Sequence, residues 1–216
     1  MGDFNLIQKI FIYAIPVLFA ITVHEVAHGW IASKLGDQTA KMMGRLTLNP
    51  IKHIDPIGTV LVPIIMLLAS PFILGWAKPV PVDWRNLKRP KQDMAWVAIA
   101  GPVANLVMMI FWAIVAKIIV VSGLGNYHYS VPVFAMAMVG IGINIVLMVL
   151  NLIPIPPLDG SRVLSALLPP RAAYQFNRLE PYGLIIVLLL LFSGVLGKFF
   201  FPVVDSFNSA VKSLIF

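Results

Sequence analysis

Five apolar stretches, most of them close to the length that a helix needs to cross a bilayer, dominate the sequence. They run over residues 7–32, 57–76, 94–121, 133–153 and 184–201. Hydrophobic residues make up 59% of the 216 residues and charged residues 12%, with a mean hydropathy of +0.90, which excludes an ordinary soluble domain. Backbone polar groups inside a bilayer must be satisfied within the protein. We therefore predict an all-α integral membrane protein, a polytopic helical bundle of four to five membrane segments that forms a single domain over residues 1–216.

Lysine and arginine residues are concentrated in the loops on both sides of the second apolar stretch. The positive-inside rule places both loops, residues 33–55 and 77–93, in the cytoplasm. The stretch between them would then enter and leave on the same face, and Pro63 and Pro71 favour a re-entrant hairpin there. A full crossing is the alternative. Loop topology also accounts for the net charge of +7, so nucleic acid is not expected as a partner.

The motif His24-Glu25-Val26-Ala27-His28 lies at the end of the first apolar stretch. Histidines at i and i+4 share one face of a helix and can bind one metal ion, while Glu25 can contact metal-bound water. The chain has no cysteine, so a third ligand must be a histidine or a carboxylate. Asp159 is the best candidate because it follows a proline-rich turn at the end of the fourth stretch. Helix capping is the alternative role for Asp159.

These motifs resemble those of the site-2 protease family of intramembrane zinc metalloproteases. The resemblance rests on residues 24–28, on Gly101-Pro102-Val103-Ala104-Asn105, and on Asn151-Leu152-Ile153-Pro154 followed by Leu158-Asp159-Gly160. It implies that His24, His28 and Asp159 bind one Zn²⁺ per chain, that Glu25 is the catalytic acid/base, and that the substrates are transmembrane segments. The chain resembles the compact subgroup, without a PDZ-like or nucleotide-sensing domain.

Two asparagines and the segment 41–48 have two interpretations each. Asn151 and Asn105 could bind substrate or the oxyanion, or could serve as interhelical hydrogen-bond partners. Residues 41–48 could form a short extended edge near the active site to which an unwound substrate adds as a strand, or a simple interfacial loop. Gly101 is expected to let helices approach closely.

The leading functional hypothesis is intramembrane proteolysis, with a zinc-activated water hydrolysing peptide bonds in or near transmembrane segments. A metal-ion transporter and a catalytically inactive membrane scaffold are the alternatives. The expected partners are transmembrane segments of membrane-protein substrates and the lipid bilayer. The expected location is a prokaryotic plasma membrane, with the active site towards the cytoplasmic side. The sequence does not indicate an oligomeric state.

Overall fold

A computed structural model of the protein describes residues 4–62, 65, 75–124 and 130–216. These residues contain helices and connecting turns but no β-strand. The helices are α1 (Leu6–Leu35), α2 (Thr39–Met42), α3 (Pro90–Val121), α4 (Ser130–Asn151), α5 (Asp159–Leu167), α6 (Pro170–Asn177), α7 (Gly183–Phe192) and α8 (Val195–Ile215). Short 3₁₀ turns lie at Pro50–His53, Trp84–Asn86 and Glu180–Tyr182, and a π-helical turn at Pro56–Leu61.

Four segments of the described chain are long and apolar enough to cross a membrane, which confirms the predicted polytopic helical bundle. They are Leu6–Leu35, Pro90–Val121, Ser130–Asn151 and Pro170–Phe192, the last of which comprises α6, a 3₁₀ turn and α7. The prediction that residues 184–201 form one continuous membrane segment is wrong. Gly194 has a φ of 73°, a left-handed conformation that favours glycine, and it separates α7 from α8.

Helix α1 is delimited by local signals at both ends. At its start, the Asn5 side chain accepts a hydrogen bond from the Gln8 backbone N–H, and the Gln8 side chain accepts one from the Asn5 N–H. This reciprocal pair satisfies two backbone donors of the first turn. At its end, Gly36 adopts a φ of 122°, a backbone conformation that is strained for any residue with a side chain. The His24–His28 motif therefore lies within a continuous helix.

The core is formed mainly by α3, α4 and α8. Trp112 and Ala116 of α3 pack with Ile141 and Ile145 of α4, and Val211 of α8 belongs to the same cluster. Helix α1 packs against both α3 and α4. The His24–His28 motif consequently faces the interior of the bundle.

Asp37 joins the loop after α1 to the segment that precedes α3. Its carboxylate is fully buried and accepts hydrogen bonds from Thr39, from the Asp83 backbone N–H and from the Asn86 side chain. Burial by itself would raise the pKa of Asp37, but these hydrogen bonds hold the pKa below its usual value. The ionised carboxylate therefore fastens together two loops on the same side of the bundle.

Two predictions concern the residues between α1 and α3. The hairpin prediction for residues 57–76 depends largely on residues 63–64 and 66–74, which lie outside the described residues. In the segment 41–48, residues 41 and 42 belong to α2, and residues 45–48 lie in a loop without helix or strand. The Arg45 guanidinium in this loop donates to the carbonyl oxygens of Lys78 and Pro79. The geometry thus favours a packed loop over a preformed strand edge.

Candidate active site

The side chains of His24 and His28 on α1 meet that of Asp159, which is distant from them in sequence. The Nε2 atoms of His24 and His28 lie 3.0 Å apart. Asp159 Oδ2 lies 3.2 Å from the His24 Nε2 atom and 3.3 Å from the His28 Nε2 atom. The structure therefore brings together the three residues that the sequence suggested as metal ligands.

The proline-rich turn between α4 and α5 places Asp159 opposite α1. Helix α5 begins at Asp159, and the next residue, Gly160, packs directly on the end of α4. A Cβ atom at Gly160 would lie 2.3 Å from the carbonyl oxygen of Leu152, closer than real Cβ contacts. Glycine at this position therefore allows the turn to fold tightly back and present the carboxylate.

The far side of each imidazole bonds to an acceptor on α3. His28 Nδ1 lies 2.7 Å from the carbonyl oxygen of Val97, and His24 Nδ1 lies 2.7 Å from Asn105 Oδ1. Because a carbonyl oxygen can only accept, His28 Nδ1 must carry its hydrogen. Asn105 Oδ1 requires the same of His24 Nδ1. In the neutral rings both Nε2 atoms therefore present lone pairs towards Asp159.

This donor set fits a zinc ion. When both rings are neutral, two imidazole lone pairs face a carboxylate oxygen, and Asp159 Oδ2 is buried with no hydrogen-bond partner. Such an arrangement is unfavourable unless a cation lies between the atoms. Tetrahedral zinc with bonds of 2.0–2.1 Å to nitrogen separates its ligand atoms by about 3.3 Å, close to the observed distances. A hydrogen-bonded carbonyl behind each histidine is also usual at metal sites.

Gly101 provides the space that the imidazoles occupy. A Cβ atom at this position would lie 2.4 Å from His28 Nε2 and 2.5 Å from His24 Cε1. The sequence predicted close helix approach at Gly101 but not its contact with the histidine rings. The sequence contained a signal, because Gly101 and Asn105 are one helical turn apart and therefore share a face of α3.

Glu25 lies beside the three converging side chains and faces a cavity of about 660 Å³. The cavity is also lined by His24, His28, Asp159 and Asn151, and residues 75–77 and 79–82 contribute part of its wall. Glu25 Oε2 accepts a hydrogen bond of 2.8 Å from the Val80 backbone N–H. The carboxylate is thus held at the cavity surface, where it can exchange protons with a bound molecule.

The wall segment is anchored by its own backbone. The Lys78 N–H donates to the carbonyl oxygen of His53, and the Trp76 N–H donates to that of Gly58. The Val80 side chain is buried close to Gly29 of α1, where a Cβ atom would lie 2.6 Å from Val80 Cγ1. Gly29 lies one turn after Glu25, so this contact helps to place the Val80 N–H against the Glu25 carboxylate.

The two asparagines have different positions. Asn151 lines the cavity, and its side-chain amide donates to the carbonyl oxygen of Leu147. Asn105 is fully buried behind His24, with its oxygen and its amide nitrogen in hydrogen bonds within the bundle. The position of Asn105 fits the interhelical alternative and not contact with substrate or an oxyanion.

Comparison with known proteins identifies the family. A model of the family described as Peptidase family M50 matches residues 12–194, which include every residue of the site. The chain belongs to peptidase family M50. This M50 peptidase is accordingly a zinc metalloprotease of the site-2 protease type, which confirms the expected cofactor and enzyme class.

The peptidase is similar to proteins from several bacteria. It is 37% identical to the putative zinc metalloprotease YwhC of Bacillus subtilis over 93% of this chain and 89% of that protein. It is 29% identical to the putative zinc metalloprotease Rip2 of Mycolicibacterium smegmatis, and 25% identical to Rip2 of Mycobacterium tuberculosis strain H37Rv. Both alignments cover 87% of this chain and 69% of the relative. No solved structure matches the chain.

Proposed function

We propose that residues 1–216 form a single transmembrane domain that cleaves transmembrane segments of other membrane proteins. In this proposal His24, His28 and Asp159 bind one zinc ion, and Glu25 is the catalytic acid/base. The supporting observation is the convergence of three possible metal-ligand atoms beside Glu25, with the two histidines on a helix of membrane-spanning length. A site with this composition inside an apolar bundle suits hydrolysis of a peptide bond at membrane depth.

The chemistry divides between the metal and the protein. Zinc, when bound, supplies water of lowered pKa and polarises the scissile carbonyl. Glu25 takes the proton from the attacking water and passes it to the nitrogen of the leaving amine. The Val80 N–H restrains one Glu25 oxygen. The other oxygen of the carboxylate can then act on water while the side chain keeps its orientation.

Asn151 is our proposed oxyanion or substrate contact. It lines the same cavity as Glu25 and Asp159, and its amide nitrogen has a second hydrogen besides the one directed at Leu147. Donation of that hydrogen to the substrate carbonyl would stabilise the charge that develops on its oxygen.

The cavity and the loop charges support a membrane substrate and a cytoplasmic orientation. Apolar side chains from α1, α4 and α7, including Ile21, Leu147 and Val187, line the cavity together with the polar site. Basic residues are concentrated in the loops that follow α1 and precede α3. We infer a site that receives water from the cytoplasm, in a prokaryotic plasma membrane as the bacterial relatives suggest.

Replacement of Glu25 by glutamine tests the proposed role. Glu25→Gln preserves the shape of the side chain and removes the proton acceptor, so zinc content should stay near that of the wild type. Cleavage of a transmembrane peptide in detergent or proteoliposomes should fall by roughly 10² to 10⁴-fold. The control is Asp205→Asn, which neutralises an exposed carboxylate on α8.

The same assay tests the ligands and the enzyme hypothesis. His24→Ala and Asp159→Ala should each lose zinc, and a chelator should stop cleavage by the wild type. Near-normal cleavage by zinc-loaded Glu25→Gln would refute the acid/base role. Normal zinc content in folded Asp159→Ala would show that Asp159 is not a ligand and would favour its alternative role as a helix cap.

A further inference from the structure

The hydrogen bonds behind His24 continue beyond Asn105 into a third membrane helix. Asn105 Nδ2 lies 2.9 Å from Asn144 Oδ1 on α4, and it also lies 3.3 Å from the Ala20 carbonyl oxygen on α1. Asn144 Nδ2 in turn lies 2.7 Å from the carbonyl oxygen of Gly140, one turn earlier in α4. A continuous chain of hydrogen bonds therefore runs from the backbone of α4 to the imidazole of His24.

The backbone at one end of this chain fixes the direction of every bond in it. The Gly140 carbonyl can only accept, so Asn144 must direct its amide group there and its oxygen towards Asn105. Asn105 must then direct its amide group towards Asn144 and its oxygen towards His24. The hydrogen of His24 accordingly lies on Nδ1, and the lone pair of Nε2 faces Asp159. Reversal of either amide would leave two donors or two acceptors opposed.

The surroundings make this arrangement difficult to replace. Asn105 and Asn144 are both fully buried, within two helices of membrane-spanning length. An amide hydrogen of Asn105 that lost its partner would be unsatisfied in an apolar interior, which is costly. Rotation of the Asn105 side chain to regain a partner would withdraw its oxygen from His24. The Ala20 contact is the longer of the two and comes from a carbonyl inside a helix, so Asn144 is the better acceptor.

We propose that Asn144 is a positioning residue for zinc binding, acting on His24 through Asn105. The proposal rests on the proposed function, because it takes His24 as a zinc ligand. Asn144 has no contact with the cavity or with substrate in this role. It keeps the ring of His24 oriented with its lone pair in the ligand position before the metal arrives.

The test is the zinc dissociation constant of purified Asn144→Leu, measured by competition with a chelator. Loss of a residue bonded directly to a ligand typically weakens metal binding 10- to 100-fold. Asn144 acts through such a residue, so we expect an effect near the lower end of this range, about 10-fold. The matched control is Asn208→Leu on α8. Asn208 also donates to the carbonyl four residues earlier, that of Val204, so the control removes the same local bond without a link to His24. Its zinc affinity should equal that of the wild type.

A double-mutant cycle distinguishes positioning from a general structural effect. In an Asn105→Leu background, Asn144→Leu should change the zinc dissociation constant by less than about twofold, because the connection to His24 is already absent. The melting temperature of the metal-free proteins measures any separate loss of stability. Should Asn144→Leu fail to fold, Asn144→Ala makes the same test without added bulk.

Two results would overturn the inference. One is wild-type zinc affinity in a folded Asn144 variant, and the other is an equal loss of affinity with and without Asn105. A parallel measurement on His24→Ala separates this failure from that of the proposed function. If His24→Ala keeps normal zinc affinity, the ligand assignment fails. If His24→Ala loses zinc while Asn144→Leu does not, the positioning role alone is rejected.

Discussion

Substitution of Gly101 by alanine should greatly weaken zinc binding by adding a single methyl group. Gly101 lies on α3 directly opposite the histidine pair, and its substituent would point between the rings. The methyl carbon would lie 2.4 Å from His28 Nε2 and 2.6 Å from His24 Nε2. Both nitrogens are proposed ligand atoms, so the methyl group competes for the space in which they meet the metal.

The size of the effect follows from these distances. Ordinary contacts of a Cβ atom begin near 3.4 Å, so the ring of His28 must move by about 1 Å. Zinc–nitrogen bonds tolerate deviations of roughly 0.2 Å. The rings cannot retreat easily, because Val97 and Asn105 hold their Nδ1 atoms from behind. Loss of one ligand bond exceeds the effect of losing a supporting partner, so we expect zinc affinity to fall by at least about 100-fold.

The assay compares Gly101→Ala with Gly142→Ala in zinc competition and in peptide cleavage. Gly142 lies on α4, and a Cβ atom there would have no atom of a neighbouring segment within 4 Å. This control therefore makes the same chemical change without creating a close contact. Gly142→Ala should bind zinc and cleave as the wild type does. Circular dichroism in detergent checks that both variants retain their helices. Wild-type zinc affinity in folded Gly101→Ala would show that the metal site is not where His24 and His28 meet.

Two further predictions concern the loops. Asp37→Asn should lower the free energy of unfolding by about 2–3 kcal/mol at pH 7, since hydrogen bonds to a charged group are lost. The pKa of Asp37 is lower in the folded protein than in the unfolded one, so this stabilisation is present above about pH 4 and disappears as the pH falls further. The difference in the free energy of unfolding between the wild type and the variant should therefore be smaller at pH 3 than at pH 7, whereas a constant difference would contradict the explanation. Single cysteines at Lys41 and Lys88 in this cysteine-free chain should both react with an impermeant maleimide from the cytoplasmic side, and labelling from opposite sides would reject the re-entrant hairpin.

The sequence predicted the parts of this protein that depend on local pattern. Apolar length identified α1, α3 and α4, and the spacing of His24 and His28 predicted that the two side chains share one face of α1. The absence of cysteine and the prolines before Asp159 indicated this residue as the candidate for a third metal ligand. These features can be read locally because helical periodicity and proline chemistry act over a few residues.

Other features depend on contacts between distant segments and were not predicted. The partner of His28 is the backbone carbonyl of Val97, which any residue could supply. The partner of Glu25 is the backbone N–H of Val80, and the identity of residue 80 does not predict this contact either. The break at Gly194 lies inside an apolar run that composition alone reads as continuous. Asn144 has no neighbouring motif, and its role is visible only where α1, α3 and α4 meet.

The wall of the cavity at residues 79–81 restricts the chemistry of anything that lies along it. Pro79 and Pro81 have no backbone N–H, and the N–H of Val80 is already bonded to Glu25. This stretch therefore has no amide hydrogen left to give. A peptide or inhibitor placed against it gains no hydrogen bond from its own carbonyl groups there. Compounds that bring hydrogen-bond donors to this side of the cavity, and a zinc-binding group to the side of the histidines, would match the enzyme better than a peptide backbone that presents donors and acceptors on both sides.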